Sequence, residues 1–408
     1  MVEPMKTYGE VLKNVDREEI ANLTLDLVEI PSPTGRELEA AKFYAKFLEE
    51  AGLEVQLDYI EEDRPNVIAR IPGKGEGPNL MLGGHIDTIP IEKCVSPKIE
   101  GGRVYGRGAC DMKGSLAAMA EAAKAIVKSG IKLKGDLFIV GWVDHEAPIG
   151  RGAGPKAIAR KISQGELKVD AAVITEGPMD SVQVAQGGMA VFTVSVAGPP
   201  QSIHTTLVPL RSNPILWTAE LIKEIQEMDE ELNRREWHPL IPQRPSLQLG
   251  IVRGGDFFNR LPTAVEVVGT VRWDPDEDFQ SVKRRFEERV KRLEHRIWHE
   301  YDRTVNISVD MVLVRDSCEV PRNEEVVKAL LKAVEAITGK KLDVSGSRAV
   351  GDLSIIYKEG GIPAVCYGPT TRTDKTAHSD MESVSIENLE TISKVYSTLA
   401  LSFCGVKG

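Results

Sequence analysis

The sequence predicts an α/β protein: a mostly parallel sheet covered by helices on both faces, interrupted by an inserted α+β unit. Three observations carry that prediction. In the first half, short apolar runs that end in polar loops alternate with helical segments, the order that builds a parallel sheet buried on both sides. Between residues 187 and 313 the order becomes strand-helix-strand-strand-helix-strand, with strands that alternate apolar and polar residues. After that stretch the first pattern resumes.

Each element follows from its own pattern. DREEIANLTLDLVEI (16–30) repeats apolar residues at helical spacing and stops at PSPTG. GRELEAAKFYAKFLEEAGLEV (35–55) is a second amphipathic helix, closed by Gly52. NVIARIPG, NLMLGGHIDTIP, DLFIVGWVDHE and VDAAVITEGP read as short apolar strands running into polar loops. MKGSLAAMAEAAKAIVKSG (112–130) is an Ala-rich helix between two of them. In the insert, MAVFTVSVAG, SLQLGIVRGG, AVEVVGTVRWDP and TVNISVDMVLV are strands. PILWTAELIKEIQEM and DEDFQSVKRRFEERVKRLEHRIWHEY are its helices. The four strands and two helices suit a ferredoxin-like unit with an open antiparallel sheet. EEVVKALLKAVEAITG and the buried strand GIPAVCYGP (361–369) return to the first style. The expected domains are therefore 1–186 plus 314–408, and 187–313.

Composition narrows the function. The 408 residues are 42% apolar and 27% charged, with a net charge of −10 and a pI near 5.4, ordinary for a globular protein. An acidic balance argues against nucleic-acid or anionic-membrane partners, whose binding displaces counterions with basic patches. The basic stretch KRRFEERVKR (283–292) alternates in sign and reads as a solvated helix face. The five cysteines (94, 110, 318, 366, 404) are isolated, as in a reducing compartment. MVEPMKTYGE lacks a signal-peptide core, and no apolar run reaches the roughly 18 residues of a membrane span, so the expected location is cytoplasmic. GKGEGP (73–78) is glycine-rich, but a strand follows Pro78 where a phosphate cradle needs a helix N-terminus.

Sites in parallel α/β sheets form beyond the carboxyl ends of the strands. The predicted strands deliver His85 and Asp87, then Asp144, His145 and Glu146, then Glu176; the last leads on to His378. The loop GRGACDMKG delivers Asp111 just before the Ala-rich helix. Any one of these is most simply a structural hydrogen-bonder or a turn. Together, in a chain of only seven histidines, they form an imidazole-carboxylate cluster suited to Zn²⁺ or a similar divalent ion. Asp111 has the short carboxylate that can bridge two ions, and Asp87 is placed to hold the other nitrogen of His85.

These segments resemble the zinc-dependent exopeptidase and deacylase family of aminoacylase, carboxypeptidase G, acetylornithine deacetylase and succinyl-diaminopimelate desuccinylase. GGHIDTIP resembles its first motif and GRGACDMKGSLAAM its second, while ITEGP and TAHSDMESVSIENL resemble later ones. The resemblance covers essentially the whole chain. It implies a hydrolase that cleaves the amide bond of an N-acyl amino acid or small peptide with a metal-activated water. It implies two divalent ions, zinc first, with cobalt or manganese as alternatives. His85, Asp111 and Glu176 would hold one, and Asp111, Glu146 and His378 the other. The insert would be a lid and homodimerisation domain. SIHTTLVPLRSNPI and GGDFFNRLPTAVEVVGTVRWDP resemble its substrate-binding segments, which marks His204, Asn259 and Arg272. Arg272 or Arg348 would receive a substrate carboxylate.

One departure stands out. The family carries two adjacent glutamates where this chain has His145 and Glu146. The first is the general base there and the second a ligand. Three readings follow: His145 is the base; His145 is a ligand and Asp144 or Glu146 the base; or the base is missing. The last would make the chain a relative with altered chemistry, or one with a non-hydrolytic metal- or ligand-binding role.

Overall fold

A computed structural model of the chain describes residues 3–146, 151–301, 305–371 and 376–407. The chain divides into two compact units: Met1–Val184 with Val320–Ser345 and Gly351–Gly408, and Ala185–Glu319 with Gly346–Val350. The second unit is thus wider than 187–313. Its extra segment follows from Arg348, whose guanidinium donates to the carbonyls of Trp273 and Gln243 and pairs with Asp274.

The first unit is built on one mixed sheet. Its strands run in the order Glu54–Glu61, Arg64–Ile71, Leu137–Trp142, Leu80–His85, Ala171–Ile174, Ala364–Cys366 and Val182–Gln186. The four from Leu137–Trp142 to Ala364–Cys366 are mutually parallel. Every residue of LMLGGH, LFIVGW and AAVI is buried, which accounts for their unbroken apolar character. The edges differ from expectation. NVIARIPG is the return arm of a hairpin and pairs antiparallel with both neighbours. Its partner Glu54–Glu61 is only half buried, and its weak alternation hid it in the sequence behind the helix Leu38–Glu50. Asp63, at φ 61°, makes the turn between the two arms.

Helices cover this sheet. Arg17–Glu29 starts at Asp16, whose carboxylate accepts the amides of Glu18 and Glu19. The Ala-rich helix Gly114–Ser129 is buried along most of its length and packs against Ile386–Phe403. Its small side chains let it lie at the centre of the unit. A small sheet of Lys98–Glu100, Arg103–Tyr105 and Ser383–Ser385 ties the chain following His378 to the segment before Asp111.

The second unit is an antiparallel sheet in the order Ser246–Gly254, Ala264–Trp273, Gly188–Ala197, Asn306–Arg315. Helices Pro214–Asn233 and Phe279–Glu300 pack against it around Phe192, Trp217, Trp273 and Phe286. Phe286 is 1% exposed, and truncating such a side chain to Ala costs about 3–5 kcal/mol.

Candidate active site

Within the first unit the parallel strands deliver their polar ends to one place. His85 is the last residue of Leu80–His85, and Trp142 ends the neighbouring strand, two residues before Asp144. Glu176 follows Ala171–Ile174 by two residues. Residues 147–150 of the proline-containing turn and 372–375 of the loop before His378 lie outside the described residues.

Asp111 is the hinge of the cluster. One of its carboxylate oxygens lies 3.1 Å from His85 Nε2, the other 3.2 Å from His378 Nε2. His378 Nε2 is also 3.2 Å from Glu146 Oε1. Nitrogen and oxygen donors of His85, Asp111 and Glu146 lie within 4.8 Å of one another, and so do those of His85, His145 and Glu176. All five expected metal ligands are therefore brought together, with His145 beside them.

The backbone that carries them is fixed by other carboxylates. Glu382 Oε1 accepts the amides of Gly108, Cys110 and Asp111 at 3.0–3.2 Å, while its other oxygen takes Arg107 Nη1 at 2.5 Å. Gly108 has φ 88°, and a Cβ there would stand 2.8 Å from the Thr88 methyl, so the loop needs glycine. Asp87 accepts the amides of His145 and Glu146 at 2.9–3.1 Å and the Thr34 hydroxyl at 2.7 Å. This corrects the sequence reading. His85 Nδ1 donates to the Asp87 backbone carbonyl at 2.7 Å, and the Asp87 carboxylate is 3.9 Å away. The tautomer expected for His85, with Nε2 turned to the cluster, is fixed by the main chain instead.

Asp144 has φ 69° and is held there by its own carboxylate, which accepts the amides of Arg151 and Ala153 and the Arg64 guanidinium at 2.7–3.0 Å. Its carboxylate is committed to the turn, which removes it as a base.

Among the described residues, His85 and Asp352 hold the ring of His145. Its ring stacks on His85 with centroids 4.1 Å apart and planes 7° apart. Its Nδ1 lies 2.8 Å from Asp352 Oδ2, the same oxygen that accepts the Trp142 indole N–H at 2.7 Å. Nothing in the sequence pointed to Asp352. It lies 207 positions from His145, on a segment with no ligand-like spacing. Glu382, by contrast, sits inside the quoted HSDMES stretch, and only its role was missed.

The electrostatics test whether divalent ions fit. Burial, then the charge of Asp111, pushes Glu176 up to about 7. Hydrogen bonds to Asp111 and Glu146 push His378 up to about 10. Burial opposes the charged form of Asp111, yet His378 and His85 hold it well below the usual carboxylate range. Burial also opposes protonation of His85, but Asp111 raises it well above its ordinary value. Protons here do what cations do elsewhere: they relieve crowded carboxylates. Two imidazoles, a two-sided Asp and two Glu are donors suited to a pair of divalent ions, so the residues fit.

In the second unit, His204 Nε2 lies 3.2 Å from Asn259 Nδ2, and His204 Nδ1 lies 2.8 Å from the Thr206 hydroxyl. Arg272 donates to the Arg348 carbonyl at 3.0 Å. Arg348 pairs with Asp274 and donates to the carbonyls of Trp273 and Gln243.

Comparison with known proteins identifies the family. Residues 81–402, more than half of the chain, match the model of "Peptidase family M20/M25/M40". The chain is similar to an N-formyl-4-amino-5-aminomethyl-2-methylpyrimidine deformylase of Halalkalibacterium halodurans, at 25% identity over 99% of each chain. It is similar to a [LysW]-lysine/[LysW]-ornithine hydrolase of Sulfurisphaera tokodaii, at 26% identity over 92% of this chain and 93% of that one. In fold it is similar to a tripeptidase from Staphylococcus aureus, with a TM-score of 0.75 at 19% identity, covering 96% of this chain and 99% of that one.

Proposed function

This chain belongs to peptidase family M20/M25/M40, and from that premise we propose how it works: as a di-metal hydrolase that cleaves the amide bond of an N-acyl amino acid or small peptide. The observation that carries this reading is Asp111, with one oxygen toward His85 and the other toward His378. His85, Asp111 and Glu176 would hold one ion, and Asp111, Glu146 and His378 the other. Zinc suits these donors first, and cobalt or manganese accept the same set. Such a pair would supply a water of lowered pKa and polarise the scissile carbonyl.

The chain's own residues do the rest. His145 accepts the proton released as the water oxygen bonds to the carbonyl carbon. It returns that proton to the leaving nitrogen as the C–N bond breaks, giving a carboxylic acid and an amine that separate as carboxylate and ammonium. Asp87 fixes the backbone of residues 145 and 146, so the acceptor and the Glu146 ligand stay in register. His204, Asn259 and Arg272 bind substrate, Arg272 through a substrate carboxylate. The named relatives support this class: one removes a formyl group, and the other is a hydrolase of lysine- and ornithine-carrying substrates.

The second unit also serves as the homodimer contact in this reading. Its outer strand Ser246–Gly254 exposes Leu249, Ile251 and Val252, an apolar edge suited to a second copy. A cytoplasmic location is the reading we favour, supported by five cysteines isolated in the sequence.

The test starts from metal-free protein. It is expected to be inactive on a panel of N-formyl, N-acetyl and N-succinyl amino acids and dipeptides. Zn²⁺, Co²⁺ or Mn²⁺ should restore turnover on some of them. Two bound ions per chain with no turnover across the panel overturns the reading.

A further inference from the structure

An imidazole at a proton-accepting position poses a problem that a glutamate does not. Its two nitrogens differ, and only the one without a proton can accept another. A residue that decides which nitrogen carries the proton therefore decides whether the site works.

Three contacts among the described residues hold His145. Its backbone amide is held by Asp87. Its face lies on His85, 4.1 Å between centroids. Its Nδ1 edge lies 2.8 Å from Asp352 Oδ2. Asp352 is itself fixed. It is 1% exposed, its Oδ2 accepts the Trp142 indole N–H, and its carbonyl accepts the amides of Ile355 and Ile356. Trp142 is fully buried under Gly83, where a Cβ would stand 2.3 Å from the indole ring. The carboxylate is thus clamped between an indole and an imidazole, and a carboxylate can only accept. Nδ1 must donate to it.

We propose that Asp352 is a positioning residue: it locks the proton of His145 on Nδ1 and leaves the lone pair on Nε2, so that an Asp352–His145 pair takes the place of the glutamate base of the family pattern. This rests on the hydrolase reading above. It explains how the departure at position 145 is tolerated. The side chain changed, and a buried carboxylate from another segment supplies the orientation the new one requires.

The test uses the full chain loaded with zinc or cobalt, and a substrate that the wild type turns over. Asp352→Asn should lower kcat by about 10²–10⁴-fold, the range seen when a base loses its orienting carboxylate, while KM moves less than about threefold. Asp352→Glu should recover part of the loss. The double variant with His145→Gln should be no slower than His145→Gln alone, because the two act as one unit. All variants should keep two ions per chain and an unchanged Co²⁺ d–d spectrum. A kcat within threefold of wild type, or additive losses, overturns the proposal. A lost ion or a shifted Co²⁺ spectrum also overturns it, by making His145 a metal ligand. An activity-independent readout separates this from failure of the hydrolase reading. In ¹⁵N-histidine-labelled, zinc-loaded protein, the resonances absent from His145→Gln should show an Nδ1–H imidazole in the wild type. An Nε2–H imidazole there defeats the Asp352 proposal whatever the protein hydrolyses. Absent turnover in the two-metal wild type defeats only the hydrolase reading.

Discussion

The loop that carries Asp111 and the turn that carries His145 and Glu146 are built alike and differ in what they leave open. Each is clasped through its main chain by a buried carboxylate from elsewhere. Glu382 takes three amides of residues 108–111, and Asp87 takes two of residues 145–146. In the first loop the clasped residue is Asp111, and its two oxygens already face two histidines. In the second, the clasp grips the peptide groups and is indifferent to the side chain at 145. The backbone therefore survives a change from glutamate to histidine. The orientation of the new ring has to come from a separate residue, Asp352.

The comparison can be broken most sharply at Asp111. Asp111→Asn removes half the bridge, and we expect loss of both ions by elemental analysis and at least a ~10³-fold fall in kcat. A variant that keeps one ion fully bound would show that the two ligand sets are independent.

The clasps come next. Glu382→Gln turns one acceptor into a donor facing amides, and metal affinity should weaken about 10–100-fold by titration. Asp87→Asn should do the same to the turn, with a similar loss that falls on Glu146 and on kcat. If only Glu382→Gln weakens binding, the two loops are not equivalent and the turn is held by Asp144 and Arg64 alone.

Much of this was legible in the sequence, for a physical reason. A parallel sheet places the ends of its strands on one edge, so His85, Glu146 and Glu176 could be collected from strand patterns alone. Asp111 and His378 followed in the same way, from the loop before the Ala-rich helix and the segment after the last strand. What failed was anything set by direction or by distance along the chain. NVIARIPG has the composition of a parallel strand but returns from a hairpin and runs the other way. The Asp87 carboxylate sits two residues from His85, yet the closer acceptor is the carbonyl of the same residue. Asp352 reaches His145 across 207 positions, which no local pattern encodes. Arg348, one of two arginines that could have met a substrate carboxylate, pairs with Asp274, a partner no local pattern encodes.

A third buried carboxylate sharpens the contrast with the smallest effect. Glu121 accepts one amide, that of Asp16, and its other oxygen has no partner among the described residues. Burial pushes it up to about 7 from its ordinary 4.5. The folded chain thus binds this proton more tightly than the unfolded one. Its contribution is fully present below about pH 4.5 and is lost as pH rises through about 7, amounting to about 3 kcal/mol. Glu121→Gln keeps the Asp16 contact and removes the charge. It should stabilise the protein at pH 8 by about 2 kcal/mol and change little at pH 4, read from denaturant midpoints. Equal effects at both pH values would mean that Glu121 is as well satisfied as the two clasps.

The most direct test of the account counts ions and turnover on one sample. Metal-free protein is titrated with Zn²⁺, and bound metal and amide hydrolysis are measured at each step. The account predicts two ions per chain and a rate that reaches its plateau with the second. A plateau at one ion, or two bound ions with no hydrolysis, would contradict it.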